Sequence, residues 1–393
     1  MKKLVALILA AVMALSLCAC GAKESSKAPT ESMESTESEE INGNEGAVAE
    51  EAAYKEAEAF ETKGAYAEAA ISFGKIADYQ DARERSYANW EKVVNYNTIA
   101  AGQDHTVAIK NDGTVVAVGV NDNGRCDVSG WADIISVAAG GSHTVGLKAD
   151  HTVVATGLKD LCQVSEWTDI VAISAGSSST FGIKIDGTVV YNEVYEGALD
   201  AYDVGSWNDI VEVSAAVAKT GTIAYRSADG HVRVYANDER YGQHRTGSWS
   251  NIEAVAAGGY GTIGVDHHGN VFVSGFEGGN NQSVYTIFYN SLKTEDWNDL
   301  MGVAAGQEHI VGLKPDGTLS ALHYGLMAYE VGGFPNNTHK GETDVFDWTD
   351  IVAVAAADRQ TIALKADGTV LAAGDNSKGE CDVSGWSDIK LPQ

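Results

Sequence analysis

The sequence predicts a mainly β fold, a seven-bladed β-propeller preceded by a short α-helical hairpin. Three observations carry this. Trp-x-(Asp/Asn)-(Ile/Leu) occurs at Trp131, Trp167, Trp207, Trp249, Trp297, Trp348 and Trp386. The copies are 36, 40, 42, 48, 51 and 38 residues apart, the period of a four-stranded propeller blade. An Asp-Gly hairpin signal recurs in register with them at Asp112-Gly113, Asp186-Gly187, Asp229-Gly230, Asp316-Gly317 and Asp367-Gly368, with variants Asp150-His151 and His268-Gly269.

Residues 1–19 read as a lipoprotein signal peptide. Lys2 and Lys3 precede an apolar run from Leu4 to Leu17, too short to span a bilayer but the length of a signal-peptide core. The following Leu17-Cys18-Ala19-Cys20-Gly21 resembles the bacterial lipobox. That resemblance implies cleavage before Cys20, lipidation of its thiol, and a mature protein tethered to the cell membrane facing outward.

Residues 20–49 are rich in Ser, Thr and Glu with almost no large apolar residue, the composition of a disordered linker. As a flexible coil such a stalk reaches about 30 Å. Residues 50–92 place Ala57, Phe60, Ala69, Phe73 and Ile76 at helical spacing, with Gly64 dividing two helices. This hairpin resembles a single tetratricopeptide repeat. Because such a unit buries its apolar face only by stacking, it is expected to pack on the following domain or on another chain.

Residues 93–393 form the repeat domain. In the unit from Trp348 to Trp386, Ile351–Ala356, Thr361–Lys365 and Thr369–Gly374 read as strands, the last two joined at Asp367-Gly368. Cys381–Gly385 is read as a fourth, outer strand.

These repeats resemble the regulator of chromosome condensation family, whose blades carry Gly-x-x-His-(Ser/Thr), an Asp-Gly turn and Gly-x-Asn-x-x-Gly. Gly102-Gln-Asp-His105-Thr106 and Gly140-Gly-Ser-His143-Thr144 match the first element, and Gly306-Gln-Glu-His309-Ile310 nearly does. Elsewhere Ser179, Lys219, Gly261 or Gln360 replaces the His. Gly119-Val-Asn121-Asp-Asn123-Gly124 and Gly374-Asp-Asn376-Ser-Lys-Gly379 match the last. The resemblance implies a closed ring of seven blades. The chain ends agree, since the first repeat lacks a Trp-x-Asp-Ile entry and the tail carries an unassigned one, Trp386-Ser-Asp-Ile389, expected to pair in the first blade. The family's nucleotide exchange on a small GTPase and its chromatin contact are not carried over, because an exported acidic chain meets neither partner.

Charge and motifs bound the function. A net charge of −28 and a pI near 4.6 offer little attraction to phosphate backbones, so no nucleic-acid partner is expected. Enzyme signatures such as HExxH, GxSxG in a strand-turn-helix setting, and GxxxxGK(S/T) are missing; the sequence reads as a non-enzyme with no cofactor and no metal. His105, His143 and His309, repeated in a repeated turn, read as structural. So do Cys126, Cys162 and Cys381, which share one repeat position.

The informative irregularity is the lengthening of blades five and six. One insertion runs from Phe276 to Asp296 with Tyr285, Phe288 and Tyr289, the other from His323 to Asp347 with Tyr324, Tyr329 and Phe334. Insertions at one repeat position emerge on one face or rim, and aromatic side chains among Gly and Asn suit recognition of an extracellular protein or glycan. Two readings stand: these six aromatics bind a ligand, or the loops fold over apolar blade edges. The chain is accordingly read as a surface-displayed binding protein. A polysaccharide-active enzyme with a propeller cleft and an architectural envelope-docking protein are the alternatives.

Overall fold

The structure, a computed structural model, describes residues 35–93, 96–194, 203–218, 221–236, 242–275, 297–323 and 339–392. Two compact units, Met1–Ala49 and Glu50–Gln393, divide the chain. Helix α1 spans Ser35–Thr62, α2 Tyr66–Gly74 and α3 Ala82–Trp90.

Two expectations are corrected here. The segment read as a disordered linker up to residue 49 is helical from Ser35 onward. Ala and Glu dominate from Ala47 to Phe60, and these strong helix formers let a helix extend at one hydrogen bond per residue once nucleated. The expected pair of helices is also three. The chain turns at Gly64, as read, and again after Gly74, where the backbone lies on the Ile185 carbonyl so closely that a Cβ would stand 2.1 Å from its oxygen. Ala57, Ala69 and Phe73 are fully buried together with Tyr54 and Ala82, and Phe60 and Ile76 pack against them.

Seven antiparallel three-stranded sheets follow. Blade 1 holds β1 (Ile99–Ala101), β2 (His105–Ile109) and β3 (Val115–Gly119). Blade 2 holds β4 (Ile134–Ala139), β5 (His143–Lys148) and β6 (Val153–Gly157); blade 3 holds β7 (Ile170–Ala175), β8 (Ser179–Lys184) and β9 (Val189–Glu193). Blade 4 holds β10 (Ile210–Ala215), β11 (Ile223–Ser227) and β12 (Val232–Tyr235); blade 5 holds β13 (Ile252–Ala257), β14 (Gly261–Asp266) and β15 (Val271–Gly275). Blade 6 holds β16 (Gly302–Ala305), β17 (His309–Leu313) and β18 (Leu319–His323); blade 7 holds β19 (Ile351–Ala357), β20 (Gln360–Lys365) and β21 (Val370–Gly374). The first strand of each blade touches that of the next, and β19 touches β1, so these strands ring an axis.

The repeat motif has a physical cause at each of its three fixed positions. The Asp or Asn is left-handed in all seven copies, with φ between 56° and 61° at Asp133, Asp169, Asp209, Asn251, Asp299, Asp350 and Asp388, a conformation these two residue types tolerate best after Gly. The aliphatic residue that follows starts the first strand and is buried, as Ile134, Ile170, Ile210, Ile252 and Ile351 show. Each indole needs a small residue on the second strand. A Cβ at Gly146 would meet Trp131 Cζ3 at 2.8 Å, and one at Gly264 would meet Trp249 Cζ3 at 2.9 Å.

The expected fourth strand is not formed in the described blades. Val383 is buried, yet its N–H donates to Cys381 O and the Trp386 N–H donates to Val383 O. Consecutive turns therefore engage this backbone locally, in place of a ladder with β21.

The tail closes the ring in blade 1. Ile389 bridges Lys110 antiparallel. Lys390 N–H donates to Ile109 O and Asn111 N–H to Asp388 O, each 2.8 Å. The second bond repeats Ala149 N–H to Asp133 O in blade 2, so the tail supplies blade 1 with the entry its own repeat lacks. Closure removes the free sheet edges that would otherwise pair with other chains.

Candidate functional site

Each blade's first and second strands are joined by the Gly-x-x-His segment or its variant, so seven such turns surround the axis at one end of the ring. In blade 1 the His105 ring lies over Gly102, where a Cβ would come within 2.3 Å of His105 Cε1; Gly140 with His143 and Gly306 with His309 are built alike. Glycine is needed to give the imidazole room. Each ring then reaches the next blade: His105 Nε2 lies 2.9 Å from Thr144 Oγ1, His143 Nε2 2.8 Å from Thr180 Oγ1, and His309 Nε2 3.0 Å from Thr361 Oγ1. The threonine hydroxyls donate to Arg125 O, Leu161 O and Glu342 O. With that proton committed, Nε2–H must be the donor to Oγ1, and Nδ1 is left without a partner in all three.

Burial pushes these histidines down to about 3 for His105 and about 4 for His143 and His309, so they are neutral spokes between blades. Gln360 replaces the spoke between blades 7 and 1. Its Oε1 lies 3.1 Å from Thr106 Oγ1 and its Nε2 donates to Gly102 O at 2.8 Å.

Around the same axis, backbone hydrogen bonds among the described residues cross five of the seven seams. Gln103 N–H donates to Gly140 O, Gly141 to Gly176 O, Ser177 to Ala216 O, Gly259 to Gly306 O and Gln307 to Asp358 O.

Within this end of the ring opens a cavity of about 730 Å³. Its walls come from the two variable positions of the Gly-x-x-His segments, among them Gln103, Ser177, Gln307 and Asp358, and from the ends of third strands at Glu193 and Asp375. Five carboxylates (Asp104, Glu193, Asp358, Asp375 and Glu380) and two cations (Arg359 and Lys378) line it. Lys378 Nζ sits 2.7 Å from Asp104 Oδ1, which raises the lysine's pKa. Asp375 is held below the usual carboxylate range by hydrogen bonds from Ser377. A sector formed by Ala216, Val217, Ala218 and Ile223 is apolar.

Of the site residues expected from sequence, Cys20 and the aromatics Tyr285, Phe288, Tyr289, Tyr324, Tyr329 and Phe334 lie outside the described residues. The strands that lead into the two insertions, β15 and β18, run antiparallel to β14 and β17 and end beside their first residues, at the cavity end of the ring. The cavity-lining residues were missed. Their signal was present as two variable positions inside a recurring turn, between the Gly and His positions of the repeat.

Cys126 Sγ lies 3.3 Å from Val120 O and Cys381 Sγ 3.2 Å from Asp375 O. Burial raises all three thiols, Cys162 to about 11 and Cys381 to about 12, which keeps them protonated and unreactive. Among the described residues no His, Cys, Asp and Glu group could hold a metal ion, and no helix is long and apolar enough to cross a membrane.

Residues 97–125 match the family model of the Regulator of chromosome condensation (RCC1) repeat. No curated protein matches the chain by sequence. Among solved structures, the CRINKLY WD40 ectodomain of the Arabidopsis thaliana receptor kinase ACR4 is similar, with 16% identity and a TM-score of 0.51 over 76% of this chain and 99% of that chain. The entire ectodomain of the Physcomitrella patens receptor kinase CR4 gives 14% identity and a TM-score of 0.51, over 72% of this chain and 73% of that chain. Prp20p from Saccharomyces cerevisiae, a protein studied for its binding to Gsp1p and histones, gives 15% identity and a TM-score of 0.49 over 78% and 88%. With its seven sheets and locked tail, the chain has a β-propeller fold, and its residues 97–125 match the regulator of chromosome condensation (RCC1) repeat.

Proposed function

We propose that this chain is a lipid-anchored binding protein displayed outside the cell, which engages a protein partner with the end of the propeller that carries the axial cavity. One observation carries the reading. The turns between the first and second strands hold the blades together, while the two positions that vary most within them, such as Gln103, Ser177, Gln307 and Asp358, are brought together in a cavity wall of unlike polar and apolar groups. A scaffold that holds side chains of free choice around one opening is suited to recognition. The described lining contains no aromatic side chain, so sugar stacking has no platform within the cavity and a protein ligand is favoured over a glycan. In this reading the six aromatics of the two insertions remain ligand-binding residues, and Cys20 carries the acyl anchor.

The test pairs variants on the two ends of the ring. Ser178→Arg with Gln307→Arg fills the cavity mouth, and Asp112→Lys alters an Asp-Gly turn at the other end. Ligand retained from native envelope by the wild-type protein should be lost at least tenfold in the first variant and kept in the second, with both folded by circular dichroism. Equal retention by all three would refute the cavity end as the binding surface. Cys20→Ser should move the protein from the detergent phase to the aqueous phase; unchanged partitioning would remove the anchor.

A further inference from the structure

The helices meet the ring at its other end, on blades 2, 3 and 4. Tyr87 stacks on His151 at 3.7 Å and donates to Asp169 Oδ1 at 2.8 Å. Arg83 pairs with that same carboxylate at 2.5 Å, and Lys75 pairs with Asp209 at 2.8 Å. Asp169 and Asp209 are the left-handed aspartates of successive repeats, so the two cations grip equivalent points on neighbouring blades. Trp90, fully buried, donates its indole N–H to Ile185 O. Two oddities of the repeat acquire a reason. His151 replaces the usual turn glycine and provides a stacking surface for Tyr87. Ile185 is a buried apolar residue at the hairpin position where Ala149 and Ala366 are exposed.

We infer that the helices are a fixed brace of the ring, which sets the spacing of blades 3 and 4 and thereby the shape of the cavity wall at the opposite end. One hydrophobic core joins the two. It contains Ala70, Ile71 and Trp90 from the helices, continues through Ile183, Ile185, Phe181 and Val213, and ends at Ile223, which lines the cavity. A core packed at this density has discrete arrangements, so loosening one end is felt at the other. The helical unit is therefore a positioning element, distinct from any groove of its own for peptides.

Native-state amide exchange on the full chain, with denaturant stepped below the unfolding transition, tests this without a ligand. The brace requires the amides of α3 and those of Ile223–Ser227 in β11 to share one opening event, whether that event involves this arc alone or the whole ring. Opening of α3 by itself, with β11 still protected, overturns it. Lys75→Gln with Arg83→Gln provides a second reading that does not risk the core. It should speed exchange at Ala216–Ile223 at least fivefold while leaving the matching turn at Asp358–Thr361 unchanged. Equal or absent acceleration at the two turns also overturns the proposal. Because neither readout involves a partner, failure here leaves the binding role of the cavity untouched, and failure of that role leaves the brace standing.

Discussion

Two arcs of the ring are joined differently. From blade 6 through 7, 1 and 2 to 3, each seam carries a polar spoke: His309 to Thr361, Gln360 to Thr106, His105 to Thr144, His143 to Thr180. Between blades 5 and 6 the corresponding residues are Gly261 and Ile310, which cannot form one. At the entry to blade 5, Thr262 is fully buried with its hydroxyl unpartnered. Yet Gly259 N–H still donates to Gly306 O across the bare seam, as Gly141 N–H does to Gly176 O across a spoked one. These backbone bonds thus cross spoked and bare seams alike, and the spokes are a separate layer that stabilises part of the ring. The insertions follow blades 5 and 6, beside the seam where that layer is missing.

The contrast is sharpest in acid. His105, His143 and His309 are buried and neutral, with pKa values of about 3, 4 and 4, against about 6.5 in an unfolded chain. The unfolded state binds these three protons first, so stability is full above pH 6.5 and is lost as pH falls from there toward 4. The slope is about 1.4 kcal/mol per pH unit for each histidine, about 4 for the three. Urea midpoints should therefore be flat above pH 7 and fall steeply below 6.5. His309→Gln should fold, because Gln360 already serves as a spoke, and should reduce the slope by about a third. An unchanged slope would mean that the spokes are not the titrating groups.

Next in size is the steric fit of the spokes. Gly140→Ala places a methyl 2.3 Å from His143 Cε1 and 2.5 Å from Gly176 O, an overpacking that should cost about 3 kcal/mol. Gly302→Ala, with no neighbour within 4 Å of its Cβ, is the matched control and should be neutral or stabilising by up to about 1 kcal/mol. Chemical denaturation of the two variants checks both.

A direct comparison of the arcs comes from removing one hydroxyl in each. Thr180→Val strands the His143 N–H and the Leu161 carbonyl, and should cost about 2 kcal/mol. Thr262→Val removes a buried hydroxyl that already lacks a partner and should be neutral or stabilising. If both substitutions cost the same, the division into spoked and bare arcs has no energetic meaning.

What could be read in advance follows from which positions are constrained locally. Trp131, Asp133 and Ile134 were legible because an indole on a small residue, a left-handed turn and a buried strand start each restrict residue type. The tail's pairing with blade 1 was legible because an orphan motif needs a partner, and the structural role of His105, His143 and His309 because repetition argues against a single site. The fourth strand was misread, since burial of Val383 predicts an inward side chain but says nothing of where its backbone bonds. The break at Gly74 and the odd turn at His151 depend on contacts with residues about 110 and 65 positions away, beyond any local pattern. The cavity was not anticipated for the opposite reason: Gln103, Ser177 and Asp358 are the positions the repeat leaves unconstrained, and only the ring brings them together.

The smallest predicted effect asks whether the difference between the arcs is confined to the axis. Asp112 Oδ1 accepts the Thr114 N–H and hydroxyl at 3.0 and 2.6 Å in blade 1, and Asp316 Oδ1 accepts those of Thr318 at 2.9 and 2.6 Å in blade 6. The two outer hairpins are thus alike, although one blade is spoked on both sides and the other borders the bare seam. Those hydrogen bonds hold both carboxylates below the usual range, so their contribution is present above about pH 4 and fades below it. Asp112→Ala and Asp316→Ala should lower Tm by equal, small amounts at pH 7, smaller than the loss from Thr180→Val. A larger fall for Asp316→Ala would mean that blade 6 is marginal throughout its sheet, and that the missing spoke is one symptom of a weaker blade rather than the source of the contrast.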